Sequence, residues 1–255
     1  YYAKWSAAKS YTVQWNLNDG TPAGHPATNP NTVSNYTVAD ADITVNPATR
    51  NGYTFLGWYD NAGLTGTPVT RIRTMDAENK QYYAKWSAAD SYTIVYTLND
   101  GTPAGHPAVN PNTVTSYTVL NPNVTLAPAT RSGYDFEGWY ENAAFTGSPV
   151  TGFSTSDAAN KHFYAKWSVP KHYTVQWSLN DGTPAGHTAT NPNTVASYTV
   201  LDADVTIQPA TRTGYDFLGW YDNPALTGTP ITNLSTMDAE NKHYYAKWSA
   251  AKNYT

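Results

Sequence analysis

The sequence predicts a mainly β protein, a tandem array of small β-rich repeats forming an elongated rod. Three observations lead there. Copies of the hexapeptide "YYAKWS" place Trp5, Trp86, Trp167 and Trp248 at intervals of 81 residues, and self-similarity at a fixed period marks a repeat architecture. Within each period apolar residues alternate with polar ones, the period-2 signature of half-buried strands. Helical periodicity is missing apart from one turn near "MDAENK" at Met75.

The spacing divides the chain into a tail strand of a preceding repeat plus connector (1–10), three repeats (11–91, 92–172 and 173–253), and the start of a following repeat (254–255). The sequence reads as a stretch cut from a longer array. The copies substitute independently, so a position that trades only apolar residues is packed and one that varies freely faces solvent. In Tyr11-Thr12-Val13-Gln14-Trp15-Asn16-Leu17 the apolar residues alternate, and the second copy keeps them as Tyr92, Ile94, Tyr96 and Leu98. Ile43-Thr44-Val45 becomes Val124-Thr125-Leu126 and Val205-Thr206-Ile207, a second strand with one core face. Ile72 becomes Phe153 and Leu234 while its neighbours scramble, so it points inward.

The closing strand puts Tyr82, Ala84 and Trp86 on one side and Tyr83 and Lys85 on the other. Phe163 in place of Tyr82 shows that the hydroxyl is dispensable in a core position. Turn chemistry lies between these segments, in "NDGT" at Asn18, "ADAD" at Ala39 and "NAGLTGTP" at Asn61. The total is about five short strands per repeat. The connector "SAADS" has five residues between Trp86 and Tyr92 and cannot act as a long tether.

Composition excludes several classes. A formal charge of -4 with scattered basic residues gives no footprint for nucleic acid, and no apolar run provides the ~20 residues of a membrane span. The absence of cysteine removes disulfides and thiolate metal sites. Nine Trp and twenty-one Tyr supply the large side chains that such small units need for a core.

The residues "GYTFLGWYDNAGLTGTPVT", preceded by "YTVQWNLNDGT" and "NPATR" and followed by "YYAKW", resemble the Listeria-Bacteroides repeat, also called the internalin B-repeat family. The resemblance covers all three repeats. It implies a β-grasp-like fold in each and a bacterial cell-surface or secreted protein, with the repeats forming a stalk beneath a binding domain and no enzyme activity. The Pro- and Asn-rich stretch from Thr21 to Asn35 departs from shorter members of the family. A β-grasp unit also carries a helix across its sheet, and no amphipathic segment here supplies one.

Candidate sites are few. The loop "DGTPAGH" is unchanged in every copy and presents His25, His106 and His187, with turn-forming Pro and Gly pointing to a structural role. One histidine is a poor metal site, since zinc wants three or four ligands, and no other His recurs in all copies. Asp40 and Asp42 become Asn121 and Asn123, which fits a turn better than calcium. Asp60 becomes Glu141, Glu78 becomes Ala159, and no nucleophile, histidine and acid recur together, so no catalytic, cofactor or metal residues are assigned.

Trp58, Trp139 and Trp220 have two readings. Strict alternation aligns Trp58 with Thr54 and Leu56, which become Asp135 and Glu137, a wet face where an indole would meet a sugar or the next repeat. A bulge at Gly57 would instead flip the parity and bury the ring. A Lys-Asn isopeptide bond is the remaining possibility, from Lys80 or Lys85 and Asn18, Asn61 or Asn79, but nothing places a pair beside a buried acid.

The function expected from this pattern is a non-enzymatic stalk or spacer of an extracellular surface protein whose partners are its own neighbouring repeats. Each repeat would add roughly 30 Å. The alternatives are weak binding of glycan or a host surface protein multiplied by avidity, and self-association into a fibre.

Overall fold

The computed structural model describes residues 1–21, 23–101, 105–182 and 186–253. Among these residues the secondary structure is almost all strand, with eight short strands to a repeat and three 3-10 turns. In the first repeat the strands are β1 (Ser10–Asn16), β2 (Ala27–Thr28), β3 (Asn35–Thr37), β4 (Ile43–Thr44), β5 (Thr49–Arg50), β6 (Tyr53–Tyr59), β7 (Arg71–Ile72) and β8 (Lys80–Ala89). There are eight rather than about five because β2, β5 and β7 each run for two residues, too short to leave an alternation. No α-helix occurs among the described residues. The helical turn expected near Met75 is a 3-10 turn over Thr74–Asp76, closed by Ala77 in the left-handed region.

The main sheet has the order β2-β5-β6-β8-β1-β3. Its centre is a parallel pair, with Val13 opposite Lys80 and Trp15 opposite Tyr82, while β3 and β6 flank it antiparallel. Parallel neighbours need a long crossover, and here nearly the whole repeat is that crossover. The "YYAKW" segment therefore closes each repeat by returning to its first strand; Val175 and Trp177 oppose Lys242 and Tyr244 in the third. Residues 1–9 form no strand, contrary to the expected tail strand, and Tyr1, Tyr2 and Trp5 are exposed.

Contacts divide the chain into two compact units. Tyr1–Val95, Val114–Leu126 and Gly152–His162 form one, and the remaining described residues form the other. The first repeat's core lies in the first unit and comprises Val13, Tyr36, Val45, Ala48, Trp58, Ile72, Tyr82 and Ala84. The third repeat's core lies in the second unit and uses the matching residues, from Val175 to Ala246. Of the inward positions read from alternation and copy-to-copy substitution, Val13, Val45, Ile72 and Tyr82 belong to this core, and Tyr11, Trp15, Leu17, Ile43 and Trp86 pack against it partly buried.

Tryptophan does two jobs in it. Trp15, Trp58 and Trp86 fill the interior, and their indole N–H groups reach the carbonyls of Val33, Asn46 and Leu17 at 2.9, 2.9 and 2.8 Å. A ring that buries ~200 Å² stabilises by about 5 kcal/mol in gross transfer terms, and the N–H ties a loop to that ring. The Pro- and Asn-rich stretch is ordered this way together with Asn31, whose side chain accepts from Asn46 N and donates to Asn46 O. Asn112 and Asn193 repeat the clamp on Ala127 and Gln208.

Candidate functional site

Gly57 decides where Trp58 goes. Its φ of 132° lies in a region that favours glycine, and the register of β6 against β8 shifts between Phe55 and Gly57. The bulge reverses the alternation, so Leu56 faces solvent and Trp58 is 1% exposed. Trp139 and Trp220 are equally buried. The three tryptophans proposed as a ligand or inter-repeat surface therefore offer no ring face to either, because the bulge turns them inward.

The invariant "DGTPAGH" loop is organised by an arginine that motif reading passes over. Arg50 is buried, and its Nε donates to His25 O at 2.8 Å while Nη2 donates to Asp19 O and Thr21 O, both at 3.2 Å. The guanidinium sits 4.1 Å from the Tyr53 ring centroid. Arg131 and Arg212 make the same bond to His106 O and His187 O. A planar fork suits several carbonyls at once in a way that an ammonium does not. The sequence signal was present in "PATR", which ends every copy of that segment.

The histidine rings contribute less than their main-chain oxygens. Each meets a tyrosine edge-on, His25 with Tyr53, His106 with Tyr134 and His187 with Tyr215. Burial differs among them: His25 is half-buried, His106 buried and His187 exposed. Rings in three such different environments do not make one shared ligand site. Part of each loop, Pro22, Thr102–Ala104 and Thr183–Ala185, lies outside the described residues.

The acidic candidates cap turns. Asp40 accepts from Thr37 N at 2.6 Å and Asp42 from Thr74 N at 3.1 Å. Asn121 and Asn123 accept the same bonds from Thr118 and Thr155. An acceptor oxygen is all these turns require, which is why Asn replaces Asp freely. In the third repeat the Thr199 N–H and Thr236 N–H hold the Asp202 and Asp204 carboxyls below the usual range. Among the described residues no three histidine or acidic groups converge on a point that would hold a metal.

An open polar cleft of about 550 Å³ lies beside β7 and β8, lined by Asp60, Arg71, Arg73, Asp76, Glu78 and Lys80 among others. Lys80 Nζ is 2.7 Å from Asp76 and 2.6 Å from Glu78. Burial pulls the ammonium pKa down, but the hydrogen bonds and charges of these acids outweigh it and hold it above the usual lysine range. A lysine committed in this way is neither a base nor a nucleophile. Arg71 and Arg73 become Gly152 and Ser154, then Asn233 and Ser235, whereas the Asp76–Lys80 pair recurs as Asp157–Lys161 and Asp238–Lys242, so the copies share the ion pair but not the arginines. Tyr82, behind the cleft, has its phenol pushed up to about 12 by burial, and so does Tyr244.

The repeated contact that the structure does assemble is a seat between successive repeats. Gly52, at φ 75° in the turn between β5 and β6, lies against both methyls of Val119, close enough that a Cβ would overlap them. Gly133 meets Val200 identically. Each glycine carbonyl also accepts from the connector of its own repeat, Asp90 N at 2.8 Å and Lys171 N at 2.9 Å. Side chains reinforce that hold, Thr54 Oγ1 to Asp90 Oδ1 at 3.2 Å and Lys171 to Asp135 at 3.0 Å. Asn51 Nδ2 adds a bond to Ser156 O at 2.6 Å. Sequence reading missed the valine, although "YTV" recurs at Val38, Val119 and Val200, because no period betrays a neighbour one repeat away.

Comparison with known proteins agrees with the repeat pattern. The model of a family described as the Listeria-Bacteroides repeat domain matches residues 11–85, 92–166 and 173–247. An Evansella cellulosilytica protein named as a membrane protein is 27% identical over 258 residues, covering 97% of this chain and 33% of the relative. A second, named as a Gly-rich membrane protein of the same organism, is 28% identical over 254 residues, covering 97% of this chain and 26% of its own. Internalin H of Listeria monocytogenes is 36% identical over 124 residues, 47% of this chain and 20% of the relative. The chain thus spans a third or less of the length of each. No solved structure matches it. Among the described residues no helix is long and apolar enough to cross a membrane.

Proposed function

Since the chain belongs to the Listeria-Bacteroides repeat family and carries three tandem copies, we propose that it is a non-enzymatic spacer of a bacterial surface or secreted protein, holding another part of that protein at a distance set by repeat number. The observation that carries this reading is the connector. Its backbone is bonded to the seat glycine of its own repeat, and that glycine receives the valine of the next. A linkage held at both sides transmits position, whereas a Gly- and Ser-rich coil would not. The relatives named as membrane proteins and internalin H support a location at the cell surface.

The glycan-platform alternative loses its carrier with the burial of Trp58 and its counterparts. Small-angle scattering of the whole chain tests the spacer. A compact protein of this length has a radius of gyration of about 18 Å, and a spacer is expected well above that. A value near the compact figure overturns the proposal.

A further inference from the structure

The seat between the first and second repeats carries a reactive group that the next seat lacks. Asn51 precedes Gly52, whereas Ser132 precedes Gly133 at the matching position, and Asn51-Gly52 is the only Asn-Gly pair in the sequence. We infer that this pair is a site of spontaneous covalent modification, deamidation to aspartate or isoaspartate, and that the change weakens the contact between these two repeats. The step needs water alone. The Gly52 main-chain nitrogen gives its proton to solvent base and attacks Asn51 Cγ. The new N–Cγ bond closes a succinimide ring, and the Cγ–Nδ2 bond breaks to release ammonia. Water then opens the ring at either carbonyl, leaving aspartate or a main chain that runs through the former side-chain carbonyl carbon.

The geometry of the seat puts the reaction here. A side chain on residue 52 would screen its own nitrogen, and none is tolerated, because a Cβ there would overlap the methyls of Val119. The contact thus requires the residue that leaves a preceding asparagine most open to attack. Asn51 is exposed, in the two-residue turn between the paired Arg50 and Tyr53, so solvent base and water reach its carboxamide. The ladder bonds belong to Arg50 and Tyr53, and among the described residues the Gly52 N–H donates to no main-chain oxygen.

The closed seat restrains the pair. Asn51 Nδ2 donates to Ser156 O at 2.6 Å, and Gly52 is buried against Val119, so the carboxamide and the turn are held away from ring closure. Reaction therefore proceeds from the open seat, and its product opposes closing. A carboxylate has no proton to give Ser156 O and sets two acceptors against each other. Isoaspartate also adds a main-chain atom to the turn, which shifts Gly52 away from Val119. Opening permits the change and the change favours opening, at this seat and not at the one built on Ser132 and Gly133. The inference rests on the seat geometry and holds whether or not the chain is a spacer.

Peptide mass spectrometry of the whole chain, sampled during incubation in warm, mildly alkaline buffer, tests it. Asn51 is expected to convert at least about tenfold faster than Asn61 or Asn79. Val119→Ala loosens the seat without altering the reacting pair and is expected to raise the rate at Asn51 at least about threefold. Asn51→Asp reproduces one product. In that variant hydrogen exchange of the peptides carrying Gly52 and Val119 is expected to quicken roughly threefold to tenfold, the effect of losing one hydrogen bond. Peptides carrying Gly133 and Val200 are expected to stay as in the wild type and serve as the internal reference. Conversion at Asn51 no faster than at the other asparagines, a rate indifferent to Val119→Ala, or unchanged exchange in Asn51→Asp would each overturn the inference.

Discussion

Trp58 meets Trp15 edge-on, with ring centroids 4.8 Å apart and planes at 64°, and its indole N–H holds the carbonyl of Asn46. One side chain thus joins the bulged strand β6, the central strand β1 and the loop that follows β4. Tyr96 takes the place of Trp15 against Trp139 at 5.4 Å, so the geometry survives a change of partner. Trp58→Ala is expected to cost about 3–5 kcal/mol. Hydrogen exchange on the whole chain, with the unaltered third repeat as internal reference, would show fast exchange confined to peptides of the first repeat. Exchange unchanged there would mean that the indole is not core.

Gly57 gives the companion prediction. A Cβ at this position would approach Pro68 Cβ to 2.6 Å, on a backbone with φ 132°. Gly57→Ala is expected to destabilise by about 2–4 kcal/mol, because strain and overlap add. Thermal unfolding followed by tryptophan fluorescence measures this, and a loss as small as that of an ordinary surface substitution would argue against the bulge.

In the invariant loop the arginine and the histidine separate cleanly. Arg50→Ala leaves several loop carbonyls without their donor and is expected to cost about 2–4 kcal/mol. Arg50→Lys is expected to recover only a small part, since one ammonium cannot both fork among carbonyls and lie flat on Tyr53. His25→Ala keeps the carbonyl that Arg50 uses and is expected to stay within about 1 kcal/mol. Denaturant unfolding of the three variants decides the order. A larger loss from His25 than from Arg50 would assign the loop to its imidazole.

What the sequence made legible follows from what each signal encodes. Substitution among copies identified Val45, Ile72 and Tyr82 as core, with Ile43 packed against them partly buried, and alternation identified Val13. Alternation reports parity only while the strand is regular, so Trp58 stayed ambiguous until the Gly57 conformation was known. Arg50 and Val119 recur in every copy, but what they touch was hidden for another reason. Their partners are main-chain oxygens and a glycine, groups that leave no side-chain pattern, and Gly52 belongs to a different repeat from Val119.

Tyr82 contributes to the alkaline sensitivity of the first repeat. Burial pushes its phenol up to about 12 in the fold, against about 10 in the unfolded chain. The folded state therefore keeps a proton that the unfolded state releases. Its contribution is complete below pH 10 and is lost as pH rises from 10 toward 12. Lys80 acts with the same sign, because its folded pKa is also raised. The second repeat carries Phe163 at this position and has no proton to lose there. Tyr82→Phe combined with Tyr244→Phe is expected to change stability little at pH 7 and to retain up to about 2 kcal/mol more per site near pH 12. Urea unfolding at pH 7, 10 and 11.5 would show the two proteins diverging only above pH 10. Parallel loss of stability in both would place the alkaline sensitivity in the lysine pairs instead.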